Sequence, residues 1–433
     1  MQFFLLFETI PVLKAQLGRC HALKALCSLF LIWVLLIGVA QAQTASNHAL
    51  SSITLYGIVD TGIGYTATTA PTYSQGAAEQ PRRFGMSSGA QSGSRWGLRI
   101  TEQLDAQTKV VAVLEQGLFS NSGDIAQNGV GFGRQSTLGM ANDTWGTLEF
   151  GMQTNLASNY FLEVDPFVLG FGQANMGASF GSADTFRLSN MLLYQTPAEQ
   201  PWRFGIGYSF NVDVSSVYLN SANPTIIEPF DYASNQNNMR ALTLGAKYSN
   251  ALMTVVASFD AVQPPSNIPV GNTPYPLVPN TDNAILKEWI LGVSFKTHVQ
   301  SDFTWAAAVG QGFNGAFSGQ TPGNNFSTTG LPTDTLNAQI LFASGYNTNS
   351  YLLGMTWQID PIQKIFASWQ AIQPNMNIQT IAPLAFAQTI SLAYTYNFSA
   401  RTNLYAWTSA GNNFQLFQGN KAFEIGVGLR HLF

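Results

Sequence analysis

Residues 424–433, the last ten of the chain, read EIGVGLRHLF. As a strand, this stretch puts Ile425, Val427, Leu429, His431 and Phe433 on one face and Glu424, Gly426, Gly428 and Arg430 on the other. Chain ends ordinarily fray or carry charge; this one stops on an aromatic ring in the middle of an alternating run. One face asks for an apolar solvent, the other for a polar one.

Composition says which solvents. Only 10% of the residues are charged, 12% are aromatic and there are 39 glycines among 433 residues. An ordinary soluble surface brings the charged share to about 25%. Mean hydropathy is close to neutral, unlike a bundle of membrane helices with repeated apolar runs of about 20 residues. Sparse charge, many rings, abundant Gly and Asn, and short alternating runs point to a transmembrane β-barrel. The competing architecture is a soluble all-β sandwich or propeller.

One long apolar run exists, ALCSLFLIWVLLIGVA at 25–40, with Arg19, His21 and Lys24 before it and Ala40-Gln41-Ala42 closing it. A basic start, an apolar middle and a small-x-small end make a signal peptide. Cleavage after Ala42 is expected, leaving residues 1–42 as leader and 43–433 as the barrel. A permanent N-terminal anchor is the competing reading. The first sixteen residues are long for such a leader, as if translation began further along. Both cysteines, Cys20 and Cys27, lie in the leader. The remainder then has no thiol for a disulfide, zinc or iron–sulfur site, and no cofactor or metal is expected. Losing Lys14, Arg19 and Lys24 against Glu8 makes the remainder more acidic than the formal −4 of the whole chain. No basic footprint for nucleic acid is left.

Beyond the leader, two kinds of gap alternate. Short gaps carry turn residues at 105–107, 141–146, 197–201, 249–251, 298–302, 360–363 and 397–401. Long polar gaps lie near 66–91, 120–131, 155–186, 214–238, 262–285, 312–348, 374–385 and 411–421. Seven short and eight long gaps separate sixteen antiparallel strands and return both chain ends to one side. The run LNAQILFASG at 336–345 would make a seventeenth, so it is assigned to the sixth long loop. Closure is obligatory, because each unpaired amide in hydrocarbon costs several kcal/mol.

Strand faces agree. Trp96, Leu98 and Ile100 oppose Arg95, Arg99 and Thr101; Val110, Ala112 and Leu114 oppose Lys109 and Glu115; Leu148, Phe150 and Met152 oppose Thr147 and Glu149. A charged inner face suits a wet lumen and not a sandwich core. Trp145, Trp202, Phe303, Trp305, Phe398 and Phe433 stand beside the short turns, where an interfacial girdle belongs. Phe433 is then the last outward residue of a strand that closes on the first, ITLYGIVDTGIGY at 53–65.

In order and spacing, SSITLYGIVD, SRWGLR, GRQSTLGM, VDPF and GVGLRHLF resemble the trimeric general-diffusion porins of Gram-negative outer membranes. The resemblance spans essentially all of the chain after the leader. It implies an outer-membrane channel for small hydrophilic solutes and ions, built as a homotrimer in the lipid bilayer. It also implies that the terminal Phe433 is read by the barrel-insertion machinery. In that family the third long loop folds inward as a constriction. Here its acids are Glu163, Asp165 and Asp184, and the facing wall would supply Arg95, Arg99, Arg134 and Arg187, with Arg82 and Arg83 as further candidates. Opposed rows of fixed charge orient and filter solutes, and arginine stays cationic throughout. For Asp184 and Arg187 the alternative is a salt bridge that merely anchors the loop. Arg134 shares parity with Leu138 and Met140, so a bulge is needed to turn it inward. Many relatives carry Arg where this chain has Met152, which weakens the expected cationic wall. Lys109, Glu115, Glu149, Glu424 and Arg430 are further lumen-facing charges.

Other functions fit less well. Past the leader the histidines are His48, His298 and His431, with no Ser/His/Asp arrangement around them. GVGFGR at 129–134 lacks the helix that a phosphate loop needs. An enzyme is therefore not expected. A substrate-selective channel and a plugged structural or adhesive barrel remain as alternatives to a general sieve.

Overall fold

A computed structural model describes residues 51–69, 82–212, 239–264, 284–317, 320, 340–375 and 383–433. The expected leader and its cleavage site lie outside the described residues. Sixteen antiparallel strands close on themselves. They are β1 (Ser51–Thr69), β2 (Arg82–Ser88 and Arg95–Gln103), β3 (Thr108–Gly117), β4 (Gln135–Asn142) and β5 (Gly146–Thr154). Next come β6 (Arg187–Gln195), β7 (Trp202–Ser209), β8 (Arg240–Ser249), β9 (Met253–Gln263), β10 (Leu286–Phe295) and β11 (Phe303–Phe313). The last five are β12 (Thr348–Asp360), β13 (Gln363–Pro374), β14 (Ala387–Asn397), β15 (Thr402–Asn412) and β16 (Lys421–Leu432).

Closure runs from Ile58 opposite Leu432 to Thr69 opposite Lys421. Phe433 adds two backbone hydrogen bonds to Gly57, each 3.1 Å, so the terminal residue is the last stitch of the seam. Its ring lies over Gly57, where a Cβ would sit 2.3 Å from ring carbon Cζ. Of the run at 336–345, residues 336–339 lie outside the described residues; within the rest, Leu341–Phe342 pairs with Gly315–Ala316 in a separate two-stranded sheet inside the sixth long connection. One feature departs from simple counting. The first long gap is partly strand, because Arg82–Ser88 pairs with the upper half of β1 while Arg95–Gln103 pairs with its lower half. Asp60 explains the break in β2. Its carboxylate accepts from the amides of Gln91 (3.0 Å) and Ser92 (2.7 Å) and from the Tyr405 hydroxyl, holding the excursion at 89–94.

Alternation places Ile53, Leu55, Leu138, Phe150, Phe204, Leu353, Ile390, Val427 and their neighbours on the exposed outer wall. Rings collect by the short turns as expected, with Trp202 4.7 Å from Tyr248 and Phe303 5.4 Å from Trp357.

The third long connection, 155–186, folds into the barrel and lies along the inside of β8 to β16. It starts with α1 (Leu156–Tyr160), whose first turn is capped by the Asn155 side chain accepting from the Ser158 amide. Leu156, Phe161, Val164, Met176 and Phe180 pack with Val256, Ile290 and Leu352 of the wall into one buried cluster. The seat is cut for them: a Cβ on Gly292 would lie 2.7 Å from the Phe161 ring, and one on Gly354 2.5 Å from the Pro166 ring. Wall side chains then tie the loop's backbone strand by strand. Thr243 accepts from the Leu156 amide (3.0 Å), Asp260 from the Asn155 side chain (2.9 Å) and Glu288 from the Ser182 amide (2.6 Å). Further round, Ser350 donates to the Ser179 carbonyl (2.5 Å) and Gln370 to the carbonyls of Gln173 (2.7 Å) and Asn175 (3.1 Å). Glu424 of β16 accepts from the Gln173 amide (2.9 Å). An intramolecular hydrogen bond contributes about 0.5–1.5 kcal/mol, and these ties are spread along the loop, so it is held against the wall as a partition.

Two measurements check this architecture. Gly57→Leu should lower the unfolding temperature of the detergent-folded barrel, since overpacking costs about 1–3 kcal/mol; an unchanged transition would show that the Phe433 ring does not close the seam there. Gln370→Leu leaves two loop carbonyls unpaired and should increase open-channel current noise in a planar bilayer. A trace as quiet as wild type would mean that this tie does not hold the loop.

Candidate functional site

With the loop pressed against β8–β16, the free part of the lumen is bounded by β2–β7. A cavity of about 270 Å³ opens there, lined on the wall side by Arg95, Glu115, Arg134 and Arg187 and on the loop side by Leu162, Val168, Leu169, Asn175 and Asp184. Glu115 of β3 is the hub of the wall. It sits 2.8 Å from the Arg134 Nε, 3.6 Å from an Arg95 guanidinium nitrogen and 2.9 Å from the Tyr56 hydroxyl that donates to it. Arg134 turns inward without a bulge. It precedes Gln135, the first paired residue of β4, so strand alternation does not yet govern it. Arg187 opens β6 opposite Thr154 and is buried at the cavity wall. Asp184 accepts from the Asn175 side chain at 3.1 Å and shares this cavity with Arg187.

The remaining expected site residues fall elsewhere. Arg99 has the anticipated lumen parity, but lies four residues nearer the short turn than Arg95, its guanidinium 4.9 Å over the Tyr56 ring and outside the cavity wall. Glu163 does not face the arginines: Lys247 of β8 holds its carboxylate at 2.5 Å. Asp165 is buried within the loop, accepting from the amides of Phe167 (3.1 Å), Leu169 (2.9 Å) and Met176 (3.2 Å). Burial pushes its carboxyl up to about 6, since desolvation outweighs the three amide donors. Short, tight loop turns consume acids in this way, because unpaired amides need acceptors. Arg83 shares the lumen side of β2 with Ser87, whereas Arg82 shares the side of the exposed Phe84 and Met86; neither lines the cavity.

A second hollow of about 290 Å³ lies toward the short turns, lined by Glu149, Gln153, Glu163, Arg203 and Lys247. Glu149 is inward as expected and accepts from the Thr137 hydroxyl at 3.3 Å. Glu424 also faces in, but is fully buried beneath the loop. Arg430 sits opposite Asp60 across the seam, and Lys109 lies beside a short turn opposite Gln103. Arg203 and Lys247 join the lumen charges here without being among the expected site residues. The signal was available: Arg203 alternates with the outward Trp202, Phe204 and Ile206, and Lys247 shares parity with the inward Thr243.

Known proteins share this design. The Gram-negative porin family model matches residues 32–413. An outer membrane porin protein of Bordetella pertussis is 37% identical over 409 residues, covering 92% of this chain and 96% of the relative. Outer membrane porin protein 32 of Delftia acidovorans is 31% identical over 176 residues, 39% of this chain and 47% of the relative. Among solved structures, the anion-selective porin from Comamonas acidovorans superposes with a TM-score of 0.63 at 19% identity, covering 88% of this chain and 100% of that one. OmpT of Vibrio cholerae in its trimer form gives 0.55 at 12% identity, covering 88% and 99%. A closed sixteen-strand barrel with an apolar exterior, a polar lumen and an inward third loop therefore has a family: the chain belongs to the Gram-negative porins and is an outer-membrane channel for passive diffusion of small hydrophilic solutes.

Proposed function

We propose that Arg95, Arg134 and Arg187 form the selective wall of the constriction and that the channel favours anions. The observation that carries this reading is an imbalance. Three arginines converge on the cavity, while two of the loop's three acids, Glu163 and Asp165, are engaged away from it. Glu115 and Asp184 offset the positive charge only in part. In a narrow, low-dielectric passage the surplus acts at short range and is weakly screened. A solved neighbour described as anion-selective agrees with this direction. The charged second hollow, with Arg203 and Lys247, continues the path toward the short turns.

The rest of the biology follows the same family logic. Residues 1–42 act as an export leader, Phe433 serves as the insertion signal before it becomes the closing stitch, and the barrel works as a homotrimer, as the trimeric neighbour does. Solutes cross unchanged. His431 is engaged with the Thr402 hydroxyl at 2.8 Å beside a short turn and is not among the residues that line the cavity.

Reversal potentials in a salt gradient across a planar bilayer test this. The channel should be anion-preferring, and Arg95→Gln with Arg134→Gln should move the preference toward cations at least about threefold, equivalent to roughly 0.6 kcal/mol. Arg99→Gln should move it less. Full insertion with unaltered selectivity in the double variant would remove these arginines from the constriction.

A further inference from the structure

The loop side of the cavity carries a single acid, Asp184, and beside it an apolar patch. Leu162 and Val168 of the loop are 41% and 54% exposed, and both line the cavity with Leu169. Isolated exposed apolar residues are common. These are neither isolated nor relaxed. Val168 and Leu169 hold φ of 54° and 56°, the left-handed region that a β-branched residue seldom enters. The fold holds them there by a specific device. The buried Asp165 carboxylate accepts from the Leu169 amide, the Val168 amide donates to the Asp165 carbonyl at 3.0 Å, and the Gly170 amide donates to the Phe167 carbonyl at 3.0 Å. The acid at 165 thus fixes the loop tip that carries the apolar side chains. Backbone strain kept by surrounding contacts marks places where a conformation serves a purpose.

We infer that the constriction is an amphipathic binding station for monoanionic organic acids with a short apolar tail. Their carboxylate would meet Arg95, Arg134 and Arg187, and the tail would lie on Leu162, Val168 and Leu169. Arginine's planar fork matches a carboxylate, and the tail leaves water against the exposed side chains. A hydroxylated acid of equal size and charge gains only the first contact. The cavity, about 270 Å³, admits an acid of this size while leaving room to leave. This inference rests on the anion-favouring reading and adds to it a preference among anions.

The test is the block of chloride current by two monoanions of similar size, hexanoate and threonate, in a planar bilayer. Wild type should be half-blocked by hexanoate at about a tenfold lower concentration than by threonate. Leu162→Ser with Val168→Asn, the latter a residue that tolerates the left-handed region, should bring the two concentrations together. Equal block by both acids in wild type, block by neither, or a preference that survives in the double variant would overturn the proposal. A failure of the arginine variants to move the reversal potential would instead sink the anion reading itself, so the two outcomes are distinguishable.

Discussion

Every backbone amide within hydrocarbon must find its partner inside the protein, and the rest of the structure depends on that constraint. A sheet can meet it only by closing. Closure is why β16 must return to β1 in one exact register, and why the chain can end on Phe433 without fraying: its amide and carbonyl complete the ladder at Gly57. Closure also divides each strand into a lipid face and a lumen face. The alternation of Val427 and Leu429 with Gly428 and Arg430 is the same fact seen in sequence.

A sixteen-strand cylinder is wide enough to leave an open channel, and the inward third loop narrows it. Its position rests on the lumen face of the far wall. Asp260, Glu288, Gln370 and Glu424 point inward from separate strands and turn a stretch of loop backbone into a partition held along its length. The glycines at 292 and 354 let the loop's rings sit against the sheet itself. Burying carboxylates is costly unless they are hydrogen-bonded. Here they accept from loop amides that would otherwise be orphaned, and each need answers the other.

Much of this was legible in the chain. Period-two alternation, turn residues and the terminal ring were enough for strand number and strand faces, because those features depend on local pattern, whereas the inward third loop was implied only by the family resemblance. The roles of individual charges were not legible. Glu163 and Asp165 lie in the expected loop, yet one is taken by Lys247, distant in sequence, and the other by amides within its own loop. Arg134 escaped the parity rule because regular pairing begins one residue later. Arg99 obeyed the rule, but parity places a side chain on a face without placing it at a height. The split in β2 depends on Asp60 accepting from Gln91 and Ser92, a contact across two chain segments with no local signature.

The central claim is that the lumen is open and narrowed by the third loop. Val168→Cys followed by a bulky thiol reagent tests it most directly, because no cysteine occurs beyond residue 27. Complete labelling should cut single-channel conductance by about half or more, while the same label at Val59→Cys, on the outer face, should leave it unchanged. Full labelling at residue 168 with undiminished conductance would contradict the account.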